Sequence, residues 1–264
     1  MPSLSRHDPK IKIPNPFLVL VNAMLAQQDV SLNSSTMESP DSPAAAYPPR
    51  PTNATPAQYL DYERGLWNHF LLDAAWRRTR FNAQPNALLV EAVRGRATGM
   101  ALDVNMGEGR NALYLAQHGW QVTGVDIADK ALAFAQQRAQ QLGVLLTTVE
   151  HDVTTYDWGS SQWDLLVLCY ADESTHVASV QAALRPGGLV VLENFHRDAT
   201  HTRGSASGQV IGFATDELKS LYSAAGFEII RYEEPIGVAD FSRETHRLVK
   251  LVAQKPKVAA SADR

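Results

Sequence analysis

We predict an α/β fold in which one seven-stranded sheet lies between two layers of helices, a three-layer α/β/α arrangement. Short apolar runs rich in Val and Leu, suited to strands buried on both faces, alternate with segments of helical periodicity at the length of βαβ crossovers. The last two apolar runs, "FEIIRYEEPI" and "HRLVKLVAQK", are joined by a short loop that permits only an antiparallel pair. The sheet is therefore expected to be mostly parallel, with an antiparallel C-terminal strand.

The predicted elements begin at Thr55-Pro56, a cap residue followed by a proline at the first helical position. This signal predicts a long N-terminal helix that continues to about Arg80, and a second proline-led helix follows in "FNAQPNALLVEAV". The strands are predicted, in order, in "MALDV", "QVTGVD", "LLTTVE", "WDLLVLCY" and "GLVVLENF". Further helices are predicted around residues 110–118, 128–142, 175–184 and 215–225, several of them ended by a glycine.

The N-terminal part of the chain lacks this pattern. Residues 31–57 contain six prolines among Ser, Thr and Asn without an apolar period, which is typical of a flexible linker. We therefore predict a disordered or signal-like segment and linker over residues 1–54, one domain over residues 55–254 and a disordered tail over residues 255–264. Basic residues before "PFLVLVNAMLA" resemble the start of an export signal with Ala26 at its edge, and a loosely docked tail is the alternative.

Composition excludes several classes of function. A net charge of −4 and a pI near 6.1 provide no basic field for nucleic acid. The lone cysteine, Cys169, rules out an intrachain disulfide framework and a thiolate metal cluster, so we predict no metal site. No stretch is long and apolar enough to predict a helix that spans a membrane. Oligomeric state is left open.

A glycine loop carries the main functional signal. In "LDVNMGEGRNALYLA" a buried strand leads to Gly107 and Gly109, and the helix that opens at Arg110 directs unpaired N–H groups towards a ligand. Gly107, Gly109 and Ala112 also have the G-x-G-x-x-A spacing of a dinucleotide site, with Asp126 near the distance of a ribose carboxylate. An NAD-linked oxidoreductase is therefore one interpretation.

The acidic residues of this loop favour a different cofactor. Asp103 ends the strand and Glu108 lies between the glycines, so both would place negative charge beside a pyrophosphate. S-adenosylmethionine carries an ammonium and a sulfonium, and its ribose has two hydroxyls that Asp126 could bind.

Four segments together resemble the class I S-adenosylmethionine-dependent methyltransferases, over roughly residues 55–254. They are "DVNMGEGRNALYLAQHGWQVTGVDIADKALAFAQQRA", "EHDVTTYDW", "WDLLVLCY" and "LRPGGLVVLE", and the "GRNALYLA" part is most similar to the tellurite-resistance and thiol methyltransferase branch. The resemblance implies a Rossmann-like sheet and S-adenosylmethionine as cofactor. The implied cofactor-binding residues are Asp103, Asn105, Gly107, Gly109, Asn111, Asp126, Ile127, Asp152, Val153 and Cys169.

The resemblance also implies individual roles. Asp103, Gly107 and Gly109 would shape the pocket for the methionine group, and Asp126 would bind the ribose. Ile127 would pack on the adenine, and Asp152 with Val153 would meet its amino edge. Asn105 departs from the pattern, because the family has its first loop glycine there; Asn tolerates positive φ better than most residues, so the loop can still form.

Methyl transfer from a sulfonium needs no obligatory acid, base or metal, and no catalytic residue is predicted. A base would project from the ends of the fourth and fifth strands, where "CYADESTH" and "ENFH" lie, and "HRDATHTRGSASG" could form a lid. Aromatic residues of the N-terminal helix would form the opposite wall. The predicted substrate residues are Tyr59, Tyr62, Tyr170, Glu193 and His196.

The function we predict is S-adenosylmethionine-dependent methyl transfer to a small-molecule acceptor, with O-, N-, S- and chalcogen acceptors all open. An NAD-linked oxidoreductase and a non-catalytic cofactor-binding protein are the alternatives. Because export would separate the enzyme from its cofactor, we expect a cytoplasmic protein, with export through the signal-like N-terminus as the alternative.

Overall fold

The computed structural model describes residues 47–48, 51–199 and 212–257. The signal-like segment, most of the proline-rich linker, residues 200–208 of the expected lid and residues 258–264 of the C-terminal tail lie outside these residues. Within the described part of the chain, no helix is long and apolar enough to cross a membrane.

The strands form one sheet in the order β3-β2-β1-β4-β5-β8-β6, with β7 paired to the first part of β8. Neighbouring strands from β3 to β5 run parallel, and β8 lies antiparallel between β5 and β6. The mostly parallel sheet with an antiparallel C-terminal strand is confirmed. The strands are β1 (Met100–Val104), β2 (Gln121–Asp126), β3 (Thr147–Glu150), β4 (Trp163–Cys169), β5 (Leu184–Phe195), β6 (Glu228–Glu233), β7 (Ile236–Val238) and β8 (Thr245–Gln254).

The helices fall close to their predicted positions, except that the N-terminal helix is two helices. Asp73 ends the first, and its carboxylate accepts hydrogen bonds from the N–H groups of Ala75 (2.8 Å) and Trp76 (3.0 Å), so it caps the second. The helices are α1 (Pro56–Leu72), α2 (Ala74–Arg80), α3 (Ala87–Val93), α4 (Arg110–Gln117), α5 (Asp129–Leu142), α6 (Val177–Ala183) and α7 (Glu217–Ala224), with 3₁₀ turns at Asp172–Thr175 and Arg197–Ala199.

The two faces of the sheet bury separate hydrophobic cores, because successive strand residues point to opposite sides. In β4, Leu166 and Leu168 pack on the side covered by α6 and α7, whereas Leu165 and Val167 pack on the side covered by α3, α4 and α5. The alternation accounts for the continuously apolar strand sequences and for the three layers.

Residues 47 and 48, on the N-terminal side of the predicted domain boundary, contact α1. The Tyr47 hydroxyl donates a hydrogen bond to the carbonyl of Tyr62 on α1 (3.3 Å), and the Tyr62 hydroxyl donates to the carbonyl of Pro48 (3.1 Å). A Cβ on Gly65 would collide with the Tyr47 hydroxyl, so the glycine permits the close approach. The end of the proline-rich stretch thus docks on α1, which the absence of an apolar period did not indicate.

Candidate functional site

A cavity of about 1250 Å³ opens at the carboxyl ends of β1, β2 and β4. Its floor is the loop between β1 and α4, which is where ligands bind in open parallel sheets. Helix α1, the residues that follow α2 and the loop between β7 and β8 form its other walls. All of the predicted cofactor residues except Gly109 line this cavity.

The glycine loop depends on three residues in the left-handed region. Asn105 and Gly107 both have φ 55°, and Gly109, the N-cap of α4, has φ 77°. Asn105 therefore adopts the conformation for which the family uses glycine, as predicted. A Cβ on Gly109 would lie 3.1 Å from Cβ of Ala135, whereas nothing lies within 4 Å of a Cβ on Gly107. Gly107 leaves open space in the cavity, and Gly109 allows α4 to pack against α5.

Asp126 closes the loop from the end of β2. Its Oδ2 accepts a hydrogen bond from the N–H of Gly107 (2.8 Å), and its Oδ1 accepts from the N–H of Ala128 (2.8 Å). Burial raises the pKa of the carboxyl group above its ordinary value, opposed by these N–H donors. A carboxylate oxygen has more than one acceptor position, so both oxygens can also receive bonds from a ligand.

Asp103 provides a buried carboxylate oxygen without a partner. The residue is 3% exposed, and Oδ2 has no hydrogen bond to any described part of the chain. Burial raises its pKa to about 7, partly opposed by the charge of Arg110. An unpaired buried acceptor is costly and is rare in folded proteins, so it indicates a ligand group that donates hydrogen bonds. The ammonium of the implied cofactor fits this oxygen.

A second buried carboxylate, from the segment that follows β4, contacts the glycine loop. Glu173, in the 3₁₀ turn after β4, is 3% exposed, and its Oε2 accepts a hydrogen bond from Nδ2 of Asn105 (2.8 Å). Its pKa is raised to about 7, mainly by burial. Sequence reasoning placed Glu173 among the polar residues after the fourth strand but did not select it, because its partner lies 68 residues away.

The remaining cofactor positions form the rim of the cavity. Asp152 makes an Asx turn, in which its Oδ1 accepts from the N–H (2.9 Å) and hydroxyl (2.7 Å) of Thr154. Val153 is buried beside it, and Ile127 and Cys169 are half-buried. Burial raises the pKa of the Cys169 thiol well above its ordinary value, so the thiol is neutral.

Of the predicted substrate residues, Tyr59 and Tyr170 line the cavity. Tyr62, Glu193 and His196 are not among the residues that line it, because each is engaged elsewhere. Tyr62 contacts the segment at Pro48, Glu193 is bound to Tyr170 and to Lys250 (2.9 Å), and Nε2 of His196 lies 3.1 Å from the hydroxyl of Thr215.

A polar cluster around Asp240 was missed by sequence reasoning. Its Oδ2 accepts from Nη1 of Arg110 (2.6 Å) and Nδ2 of Asn86 (2.8 Å), and its Oδ1 accepts from Nδ2 of Asn82 (2.7 Å). These contacts fix the loop between β7 and β8 against the glycine-loop helix. The partners are separated by 130 to 158 residues, so no local pattern could have indicated them.

Glu108 also has a partner that the sequence did not reveal. Its Oε1 lies 2.8 Å from Nη1 of Arg77, whose guanidinium also covers the ring of Phe134. The negative charge of Glu108 is therefore compensated, and its repulsion of a pyrophosphate, inferred from the sequence, is weaker than predicted. The charge argument against a dinucleotide now rests on Asp103.

The fold and this cavity define a Rossmann-like α/β protein whose ligand site is built on a glycine loop. Comparison with known proteins narrows the class. Residues 101–188 match the family described as a methyltransferase domain. Ribosomal RNA small subunit methyltransferase G of Burkholderia vietnamiensis (strain G4 / LMG 22486) is 33% identical over 184 residues, which cover 63% of this chain and 81% of that protein.

Two further comparisons differ in coverage. Hemagglutinin 1 of Eikenella corrodens is 27% identical over 177 residues, 63% of this chain, and the chain spans only 58% of its length. The crystal structure of magnesium protoporphyrin IX methyltransferase (ChlM) from Synechocystis PCC 6803 with bound SAH superposes with a TM-score of 0.54 at 21% identity, covering 74% of this chain and 99% of that one.

The chain belongs to the class I S-adenosylmethionine-dependent methyltransferases. It is an enzyme of this family, and S-adenosylmethionine is its cofactor. The resemblance inferred from the sequence is confirmed, and the methyltransferase interpretation is preferred to the NAD-linked oxidoreductase and to the non-catalytic binding protein.

Proposed function

We propose that the enzyme transfers the methyl group of S-adenosylmethionine to a small-molecule acceptor held in the cavity above the glycine loop. The observation that carries the proposal is the enclosure of this cavity by α1 and by the loop between β7 and β8. Pro56, Tyr59 and Trp67 of α1 and Phe241 of the loop line it, and the rings of Trp67 and Phe241 pack edge-on with centroids 6.4 Å apart. Such walls suit a molecule that fits inside rather than one that lies across the surface.

The cofactor would occupy the floor. The unpaired Oδ2 of Asp103 would accept from the ammonium, while Asn105, Gly107, Gly109 and Asn111 would shape the loop around the methionine group.

The nucleoside would extend from there towards the ends of β2 and β3. Asp126 would bind the ribose hydroxyls. Backbone N–H groups of Gly107 and Ala128 already hold its two oxygens in place at the end of the loop. Ile127 and Val153 would pack on the adenine, Asp152 would meet its amino group, and Cys169 would lie beside the nucleoside.

In the reaction the protein would align the acceptor, exclude water and stabilise developing positive charge. The bound cofactor supplies a methyl group already activated by its attachment to a sulfonium. The protein's own residues hold the acceptor in line with that group, and alignment of this kind can account for much of the rate. Aromatic side chains exclude water and present π faces to developing positive charge; those lining the cavity are Tyr59, Trp67, Phe81, Phe134, Tyr170 and Phe241.

One relative is a ribosomal RNA small subunit methyltransferase, which raises the alternative of an RNA acceptor. The net charge of −4 opposes it, since affinity for nucleic acid depends on neutralising phosphates with Lys and Arg. Of the five arginines that line the cavity, Arg77 is paired with Glu108 and Arg110 with Asp240. These observations favour a small acceptor.

Two measurements test the proposal. Calorimetry should detect binding of S-adenosylhomocysteine to the full chain, and NAD should produce no heat under the same conditions. Radiolabelled methyl groups should then appear in small molecules from an acceptor panel and not in purified ribosomal RNA or ribosomal subunits. Label incorporated into RNA alone would contradict the small-molecule acceptor, while absence of cofactor binding would contradict the assigned site.

A further inference from the structure

The pair formed by Asn105 and Glu173 connects the unusual loop residue of this chain with an otherwise unused buried carboxylate. Asn105 stands where the resemblance leads us to expect glycine, and its side chain reaches across the cavity floor to Oε2 of Glu173 (2.8 Å). Glycine could not make this bond. The inference below rests on the proposed function and adds to it a reactive group and a class of acceptor.

Glu173 is held in place from three directions. Asn105 binds its carboxylate, and the adjacent Ser174 donates a hydrogen bond from its hydroxyl to the carbonyl of Ala171 (2.7 Å). The Tyr222 hydroxyl, from the buried face of α7, donates to the carbonyl of Ser174 (3.1 Å). The 3₁₀ turn is therefore anchored to the core, and the carboxylate is positioned before any ligand arrives.

The charges that face Glu173 are mostly negative. Burial raises its pKa most, and the charges of Asp152, from the loop after β3, and Asp126, from β2, raise it further. The backbone N–H of Glu173 and the side chain of Asn105 lower it as neutral donors. His176, which follows the turn and also lines the cavity, has a pKa lowered by burial and is neutral near pH 7. Glu173 thus changes its protonation state near neutral pH, where a group that accepts a proton works best.

We propose that Glu173 receives the proton of the methyl acceptor, that Asn105 positions its carboxylate, and that the acceptor is a phenol or a similar acidic hydroxyl on an aromatic ring. The hydroxyl oxygen forms a bond to the methyl carbon while the bond from that carbon to sulfur breaks. The hydroxyl proton passes to the Glu173 carboxylate, and the electron pair of the broken bond remains on sulfur, which becomes neutral. The products are an aryl methyl ether, the demethylated cofactor and a protonated Glu173.

The choice of acceptor follows from two properties of the cavity. Its walls carry Tyr59, Trp67 and Phe241, which suit a planar aromatic molecule. A carboxylate with a pKa near 7 is also matched to a phenol, whose pKa is about 10, far better than to an aliphatic alcohol. Asn105 and the backbone N–H of Glu173 occupy only part of the acceptor positions on the carboxylate, so capacity remains for the hydroxyl.

The first experiment compares the wild type with Glu173→Gln on ring-substituted phenols of graded acidity. Weakly acidic phenols need a proton acceptor, so the variant should lose on the order of 100-fold in turnover. Phenols already ionised at the assay pH need none, so the loss should shrink to a few-fold. Glu228→Gln, at an exposed carboxylate on β6, is the matched control and should behave as wild type.

The second experiment needs no turnover. Calorimetry on protein saturated with S-adenosylhomocysteine measures the affinity for a weakly acidic phenol across the neutral pH range. In the wild type this affinity should rise as Glu173 ionises near pH 7, and in Glu173→Gln it should be independent of pH. Asn105→Gly should move the phenol profile to higher pH, since a donor to the charged carboxylate is lost.

Each result is decisive. Failure of wild type to bind any phenol while it binds the cofactor would overturn the acceptor class and leave the proposed function standing. An equal loss in Glu173→Gln for all phenols would overturn the proton-accepting role. A weaker cofactor affinity in Glu173→Gln with unchanged turnover at saturation would make Glu173 a cofactor ligand instead. Failure of the wild type to bind S-adenosylhomocysteine would overturn the proposed site, and this proposal with it.

Discussion

The Tyr170 hydroxyl donates a hydrogen bond of 2.7 Å to Oε1 of Glu193 and accepts one of 2.9 Å from the N–H of Asp240. It thereby joins the end of β4 to β5 and to the loop between β7 and β8, which walls the cavity. Oε2 of Glu193 lies 2.9 Å from Nζ of Lys250, so the buried carboxylate is satisfied on both oxygens. Burial raises the Tyr170 pKa well above its ordinary value, and the hydroxyl remains protonated.

Tyr170→Phe should therefore lower turnover through the position of the loop rather than through loss of a base. Removing the hydroxyl leaves Glu193 and the Asp240 N–H short of a partner, which costs about 1–3 kcal/mol of the free energy of unfolding. Urea denaturation and steady-state assays on an identified acceptor measure the two effects. Cofactor affinity should stay nearly constant; a large loss of cofactor binding would place the tyrosine in the cofactor site.

Asp126→Ala should weaken cofactor binding much more than folding. Two charge-assisted hydrogen bonds to ribose hydroxyls are worth on the order of 2–4 kcal/mol, or roughly 30-fold to 1000-fold in the dissociation constant. Calorimetry with S-adenosylhomocysteine measures the loss, and thermal unfolding shows whether the loop still forms without the bonds to Gly107 and Ala128. Asp61→Ala, at an exposed carboxylate of α1, is the control. Unchanged affinity would exclude the ribose assignment.

Asp103→Asn should change how stability depends on pH. The folded-state pKa of Asp103 is about 7, above the ordinary value of 3.8, so the folded state favours the protonated form. The stability that this preference contributes is full below about pH 4 and is lost as pH rises through 7. The free energy of unfolding of the wild type should therefore fall relative to that of the variant between these limits.

The size of this change is bounded by the shift itself, about three pH units, or at most about 4 kcal/mol. Urea titrations of both proteins at a series of pH values provide the measurement. Parallel curves for the two proteins would mean that Asp103 is ionised at neutral pH in the free enzyme. In that case the unpaired oxygen would already be solvated.

Local sequence signals predicted the parts of the fold that local physics determines. Thr55 caps α1 as predicted, and it forms a capping box with Gln58; the alternation of β4 residues between two cores follows from strand geometry. Asn105 was correctly placed at positive φ because its side chain tolerates the left-handed region. Asp126, selected from its position at the end of an apolar run, lines the cavity and accepts hydrogen bonds from the N–H groups of Gly107 and Ala128.

The rest of the site depends on contacts between distant parts of the chain. The pairs Asn105–Glu173 and Arg110–Asp240 span 68 and 130 residues, and no periodicity or spacing connects their members. His196 is the opposite case, a residue that was predicted to contact the substrate but does not line the cavity. It follows a strand that ends at the cavity side, yet it is buried beside Thr215 and Glu234, because the residues around 213 pair with the chain there.

The N-terminal boundary provides the last prediction. From the sequence alone, truncation at Asn53 should leave the melting temperature and cofactor affinity unchanged, since a proline-rich linker buries little apolar area. The structure revises this expectation, because Tyr47 packs edge-on against Tyr62 with ring centroids 5.4 Å apart, and Pro51 and Thr52 line the cavity.

Two truncations separate these views. A chain that begins at Tyr47 should retain the melting temperature of the full chain. One that begins at Ala54 should lose about 1–3 kcal/mol of the free energy of unfolding, because the half-buried Tyr47 side chain and its contacts with Tyr62 are removed. Tyr47→Ala in the full chain should reproduce most of that loss, which shows that the tyrosine and not chain length is responsible. Equal stability of the two truncated chains would restore the linker interpretation.

Because Pro51 and Thr52 lie at the cavity, the shorter chain should also bind an identified acceptor more weakly while its affinity for S-adenosylhomocysteine stays unchanged.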